Sequence, residues 1–152
     1  MNALFDRVLS SHFSMTNYTF YENTFYVVLH GDRGNVSNFQ ASCEKLGGYL
    51  VEFNTAKEYD DMMNFMQNSP KVNGQIVLIG YSDAGLQGMW YYMKSAKIAT
   101  YTRWASGEPN EPNKDCAYVN PYDDPDTGFN KMKDIRCDIY SQYNFLCEIP
   151  DA

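Results

Sequence analysis

Apolar and aromatic residues are spaced along this chain in two alternating ways. From Tyr18 to Leu29 a run rich in Tyr, Phe and Val (Tyr18, Phe20, Tyr21, Phe25, Tyr26, Val27, Val28) predicts one or two β-strands. Helical spacing follows. Ser37-Asn38-Phe39-Gln40 fits a capping box, Phe39, Cys43 and Leu46 share one helical face, and Gly47-Gly48 stops the helix. Thr55-Ala56-Lys57-Glu58 opens a second helix whose stripe is Tyr59, Met62, Met63 and Met66; methionines at this spacing predict core filler. Short strands are predicted at residues 49–53, 76–81, 89–92 and 144–149, with a brief extended piece at 101–104. Between Ala105 and Arg136 the pattern dissolves into Gly, Pro, Asn and Asp, apart from a short strand at Ala117-Tyr118-Val119. A loop of that length is far above the usual connection and is commonly functional. Leu4, Phe5, Val8, Leu9 and Phe13 predict a short helix, so residues 1–16 form an N-terminal extension and 17–152 a single domain of α+β class.

Composition narrows the function. The formal net charge of −7 and pI near 4.7 work against binding a polyanion, and no basic stripe marks a nucleic-acid partner. No apolar run is long enough to insert in a membrane. Cysteines 43, 116, 137 and 147 lack CxxC or Cys/His spacing, and His12 and His30 are the only histidines, so a zinc site is not expected. An even set of this kind predicts two disulfides and a secreted, extracellular protein. The start, residues 1–7, lacks the basic region and apolar core of a secretory signal, so export calls for a leader already removed or an unconventional route. Asn17-Tyr18-Thr19 and Asn35-Val36-Ser37 are glycosylation sequons. No Ser/His/Asp or Cys/His grouping is available for catalysis. A carboxylate pair such as Glu108 and Asp134, flanked by lysines that hold both ionised, lacks the general acid a glycosidase needs.

The long loop carries the candidate chemistry. Glu108-Pro109-Asn110 lies six residues before Cys116, and Asp134-Ile135-Arg136-Cys137 follows. Two acids and a carboxamide around a loop that cysteines can close make a polar cradle for vicinal hydroxyls. The ordered set of motifs resembles the C-type lectin domain. It comprises Cys43-Glu44-Lys45-Leu46-Gly47-Gly48-Tyr49-Leu50-Val51, Leu78-Ile79-Gly80-Tyr81-Ser82-Asp83, Gly88-Met89-Trp90-Tyr91-Tyr92, Trp104-Ala105-Ser106-Gly107-Glu108-Pro109-Asn110, Asp115-Cys116, Asp134-Ile135-Arg136-Cys137 and Phe145-Leu146-Cys147-Glu148. The resemblance implies a lectin-like fold with two helices, small antiparallel sheets and a long disulfide-closed loop. It also implies bridges Cys43–Cys147 and Cys116–Cys137 and a cis peptide before Pro109.

In calcium-dependent relatives five side chains hold the ion and the sugar. Glu108, Asn110 and Asp134 match that set, but Lys114 stands for a Glu, Lys133 for an Asn, and Met132 for the preceding Trp. The auxiliary calcium position retains Asp83, Glu111 and Asp115, with Gln87 and Lys114 where carboxylates are usual. Calcium takes six to eight oxygens and its affinity follows carboxylate count. Like charges ~4 Å apart repel by roughly 4 kcal/mol even at an effective dielectric near 20. No cofactor is therefore expected, and Ca2+ is disfavoured; Glu108, Asn110 and Asp134 would be its residual ligands. The expectation is that the ammonium of Lys114 or Lys133 replaces the ion, so that Glu108, Asn110, Lys114, Lys133 and Asp134 together bind carbohydrate. Glu-Pro-Asn resembles the mannose, glucose and N-acetylglucosamine type of site. The second copy, Glu111-Pro112-Asn113, is too close to Cys116 to serve. Tyr118 and Tyr122 offer flat faces to a pyranose, whereas Trp104 is expected in the core. Millimolar affinity, about −4 kcal/mol, would make a homo-oligomer useful for avidity. The implied partners are glycans, in a setting of innate immune recognition. The rival expectation is a lectin-like module that binds a protein, ice or mineral surface without sugar, for which the acidic run Asp123-Asp124-Pro125-Asp126 is a candidate.

Overall fold

The structure, a computed structural model, describes residue 6 and residues 14–31, 33–69, 76–121 and 131–150. The helix expected at 4–13 falls outside these residues except for Asp6, as do Tyr122 and the acidic run 123–126. The aromatic-rich opening run forms an antiparallel pair, β1 (Ser14–Tyr21) and β2 (Thr24–His30). Two helices follow, α1 (Val36–Lys45) and α2 (Ala56–Gln67), with β3 (Tyr49–Leu50) between them. The remaining strands are β4 (Val77–Ser82), β5 (Tyr91–Tyr92), β6 (Cys116–Val119), β7 (Met132–Ile135) and β8 (Asn144–Pro150).

These strands join into one eight-stranded sheet in the order β1-β2-β8-β4-β6-β7, with β3 paired to β8 and β5 to β4. Small antiparallel sheets were the expectation; the pairing is instead continuous, and β4 runs parallel to β8. The central strands are apolar on both faces because both faces are covered. Phe25, Val27, Leu29, Phe145, Cys147 and Ile149 pack with Phe39, Cys43 and Leu46 on the α1 side. Tyr26, Val28 and Leu146 pack with Tyr59, Met62, Met63 and Met66 on the α2 side, which makes the methionine stripe core as expected. Strand alternation divides one sequence run between two layers.

The predicted helices are present, with one correction. Helix α1 is capped by Asn35, whose side chain accepts from Asn38 N while Asn38 Oδ1 accepts from Asn35 N, and so its cap lies two residues before the expected Ser37. Gln40, read as a capping partner, instead accepts from Leu50 N at 2.8 Å and ties β3 to the helix. Gly47 ends the helix at φ +94°, a left-handed conformation that glycine adopts without steric cost. At Gly48 a Cβ would run into the Glu148 carbonyl, so the glycine is what lets β3 approach β8. Thr55 caps α2 as expected, accepting from Glu58 N at 3.1 Å. Both disulfides are as the resemblance implied, Cys43–Cys147 and Cys116–Cys137, with Cα separations of 5.5 and 5.2 Å.

Three acids meet inside this frame. Glu148 Oε1 accepts from Glu52 N at 2.7 Å, Glu52 Oε2 accepts from Lys94 N at 2.9 Å and Ser95 N at 3.1 Å, and Glu58 Oε2 accepts from the Tyr26 hydroxyl at 2.6 Å. All three carboxyls are buried. Burial, reinforced by the charges of Glu58 and Glu52, pushes the Glu148 carboxyl up to about 8 although the Glu52 amide opposes it. Burial raises the Tyr26 phenol too.

Candidate functional site

The site is built at the β7 end of the sheet, on a strand absent from the expected element list. Cys116–Val119 pairs antiparallel with Met132–Ile135, so Ala117 lies opposite Asp134 and Tyr118 opposite Lys133. On its other side β7 receives the chain at 103–105, where Met132 N donates to Arg103 O at 2.7 Å and Ala105 N to Met132 O at 2.9 Å. Trp104 packs against Trp90 with ring centroids 4.7 Å apart and contributes to the core, as expected. The chain then turns through Gly107, and the Glu108–Pro109 peptide is cis, as the resemblance implied. In the second Glu-Pro-Asn copy Lys114 N donates to Glu111 O at 3.2 Å, so that copy forms a turn.

Glu108, Asn110 and Asp134 come together. Asp134 Oδ2 accepts from the backbone N–H groups of Asn110 (2.9 Å) and Glu111 (3.1 Å). Asn110 Nδ2 donates to Glu108 Oε2 at 2.8 Å, and Asp134 N donates to Glu108 Oε1 at 3.3 Å. Asp134 is buried, and its Oδ1 has no hydrogen-bond partner among the described residues. Desolvation raises the Glu108 carboxyl above the usual carboxylate range, and its contact with the Asp134 carboxyl adds to this; the Lys114 ammonium pulls weakly the other way.

Lys114 sits differently from the expectation. Lys114 Nζ pairs with Glu111 Oε1 at 3.4 Å and does not bridge Glu108 and Asp134. The reason is local. Glu111 lies one turn before Lys114 and meets its ammonium first, while backbone amides reach Asp134 directly. Lys133 is half-buried on β7, one residue before Asp134.

A groove of about 250 Å³ adjoins the cradle, between the turn at 83–88 and Pro109–Pro112. Asp83 anchors that turn, since its Oδ2 accepts from Gly88 N at 2.8 Å and Gln87 Nε2 at 3.2 Å. The neighbouring Asp83 carboxyl, followed by burial, raises the Asp115 carboxyl, and the Oδ1 atoms of both acids lack partners among the described residues. Sequence reasoning missed Leu86 and Met89, which stand 47% and 55% exposed beside this groove. Positive-φ glycines at 85 and 88 mark the tight turn that exposes them, and a Gly-Leu-Gln-Gly run is the signal that could have found it.

Calcium fits these residues poorly. Three side chains supply oxygen, and both Glu108 oxygens and Asp134 Oδ2 are already taken by N–H donors. That falls well short of the six to eight oxygens the ion takes. At the auxiliary position the Gln87 amide donates to Asp83 where a ligand carboxylate is usual. Among the described residues no three His, Cys, Asp or Glu side chains gather closely enough to hold a metal ion.

The lectin C-type domain model matches residues 32–149, more than three quarters of the sequence. The chain belongs to the C-type lectin domain family. This lectin domain is 29% identical over 126 residues to human C-type lectin domain family 4 member C, a match that spans 82% of this chain and 54% of that protein. It thus covers about half the length of that relative. In structure it is similar to human lithostathine, with a TM-score of 0.72 at 24% identity over 88% of both chains. It is likewise similar to the C-type lectin domain of murine dendritic cell inhibitory receptor 2 in complex with N-glycan, with a TM-score of 0.70 at 20% identity over 90% of this chain and 98% of that one. Such likenesses establish the lectin fold. No helix among the described residues of the domain is long and apolar enough to cross a membrane.

Proposed function

We propose that this lectin domain acts outside the cell as a carbohydrate-binding module for mannose, glucose or N-acetylglucosamine-type glycans, and that it works without calcium or with weak dependence on it. The reading rests on the cis-proline cradle, in which Glu108, Asn110 and Asp134 converge with Asn110 exposed and Glu108 half-buried. Sugar hydroxyls donate to the remaining lone pairs of Glu108 and to Asn110 Oδ1, and the second Asn110 amide hydrogen is available to donate in return. Lys114, paired with Glu111, and Lys133 flank the cradle and take over part of a cation's charge. The murine receptor domain of the same fold is seen with an N-glycan, which agrees with this class of ligand. Binding of one sugar is weak, so oligomerisation would provide avidity. Innate immune recognition is the role such a module suits.

A glycan array run with calcium and again with EDTA tests this. The expected result is mannose- or glucose-family binding that survives EDTA. Binding abolished by EDTA would overturn calcium independence. Silence under both conditions would favour the second reading, a module for protein, ice or mineral surfaces; the hydrogen bonds that already close the cradle internally support that alternative. Calorimetry provides a further check on the ligand map. Lys114→Glu combined with Lys133→Asn restores an acid and a carboxamide and is expected to bring measurable calcium heat, against none for the wild type. Indistinguishable titrations would mean that other residues decide the ion's affinity.

A further inference from the structure

The sugar-binding reading makes no use of the Asn17-Tyr18-Thr19 sequon or of the groove beside it. Asn17, Thr19 and Tyr21 alternate along β1, so their side chains share one face, and all three line a groove of about 370 Å³ against α2. On the helix side the lining is Asp61, Met62, Asn64, Phe65 and Asn68. That volume is at the small end of the range for ligand pockets, about 300–1,000 Å³, and suits one saccharide unit.

Asn17 is suited to modification there. It is half-buried next to a β-bulge, the register shift between Met15 and Asn17. Its Oδ1 accepts from Tyr18 N at 2.9 Å, and no hydrogen bond among the described residues engages its Nδ2, the atom that receives a glycosyl group. At the Asn35 sequon Oδ1 likewise accepts from a backbone amide, Asn38 N, and the difference lies in the backbone: Asn35 N donates to Asn38 Oδ1, Gly34 N to Ser141 O at 2.9 Å and Val36 N to Cys137 O at 3.3 Å, which pin this segment.

We propose that Asn17 carries an N-linked glycan whose first N-acetylglucosamine seats in the groove between β1 and α2. The aromatic faces of Phe65 and Tyr21 match the C–H face and acetyl methyl of such a sugar. The exposed Asn64 and Asn68 are placed to meet its hydroxyls. The donor is an oligosaccharide linked to a lipid diphosphate. Transfer breaks the bond between C1 of the reducing-end sugar and the diphosphate oxygen and forms C1–Nδ2 of Asn17. One amide proton passes to a base of the transferase, and the lipid diphosphate leaves. The glycan would also cover strand β1, which among the described residues pairs with β2 alone and stands at the end of the sheet order.

The inference rests on passage through the secretory pathway, which the two disulfides fit, and not on the Glu108 cradle, so either can fail without the other. The test is to secrete the full chain from cultured animal cells behind a cleavable leader and measure its intact mass before and after enzymatic glycan release. One N-glycan is expected on the wild type and on Asn35→Gln, and none on Asn17→Gln or Thr19→Val. Two independent variants guard against a folding defect in one. A wild-type Asn17 without a glycan would overturn the proposal. For seating, an endoglycosidase trims the chain to a single N-acetylglucosamine, and NMR contacts between its acetyl methyl and the Phe65 or Tyr21 ring are expected. A sugar that shows no such contact refutes the seating.

Discussion

Glu148→Gln is expected to leave stability unchanged near pH 4 and to raise it by about 3–5 kcal/mol near pH 9. Burial, with the charges of Glu58 and Glu52, lifts the folded-state pKa of Glu148 to about 8. An unfolded Glu titrates near ~4.3. Between those values the folded protein holds a proton that the unfolded chain has released. The folded state is therefore fully favoured below about pH 4, and that advantage is lost as pH rises toward 8. The groups facing Glu148 are Glu52, Glu58, Tyr49 and Tyr26, and none supplies a compensating positive charge. Glutamine keeps an oxygen for the Glu52 amide and carries no charge. Urea denaturation of both proteins at pH 4, 6 and 9 gives the comparison, and parallel pH curves would refute the assignment.

Replacing Cys43 and Cys147 together with alanine is expected to cost about 4–5 kcal/mol, the chain-entropy value for a loop near 100 residues. The sequence separation is 104, and the bridge joins α1 to β8 in the fully buried α1-side core. The Cys116–Cys137 bridge closes a separation of 21, for which the same relation gives about 3 kcal/mol. Urea midpoints of the two double variants should therefore rank in that order. A reversed ranking would show that native packing, and not loop closure, decides the cost.

Much of the architecture was legible because periodicity and core coincide. The methionine stripe of α2, the Gly47-Gly48 stop and the apolar β4 and β8 runs each point to one structure. Strand β7 was hidden for a physical reason. Its buried positions are Met132 and Asp134 and its half-exposed ones Lys133 and Ile135, so hydropathy shows no alternation. The inward acid that conceals the strand is also the acid that anchors the cradle through the Asn110 and Glu111 amides. Residues of the cradle were recognisable from Glu-Pro-Asn, but the partner of Lys114 was not, because an ion pair with Glu111 depends on how the second Glu-Pro-Asn copy turns. The buried trio Glu52, Glu58 and Glu148 was likewise out of reach, since it joins two of the segments before and within α2 to the last strand.

The sheet order has a consequence for assembly. Strand β1 begins the sequence of pairings and β7 ends it, with four strands between them. A saccharide displayed at the first strand and a saccharide receptor at the last would dock one molecule's tail into the next one's head. Contacts of that handed kind do not saturate at a dimer; they propagate as filaments or close into rings.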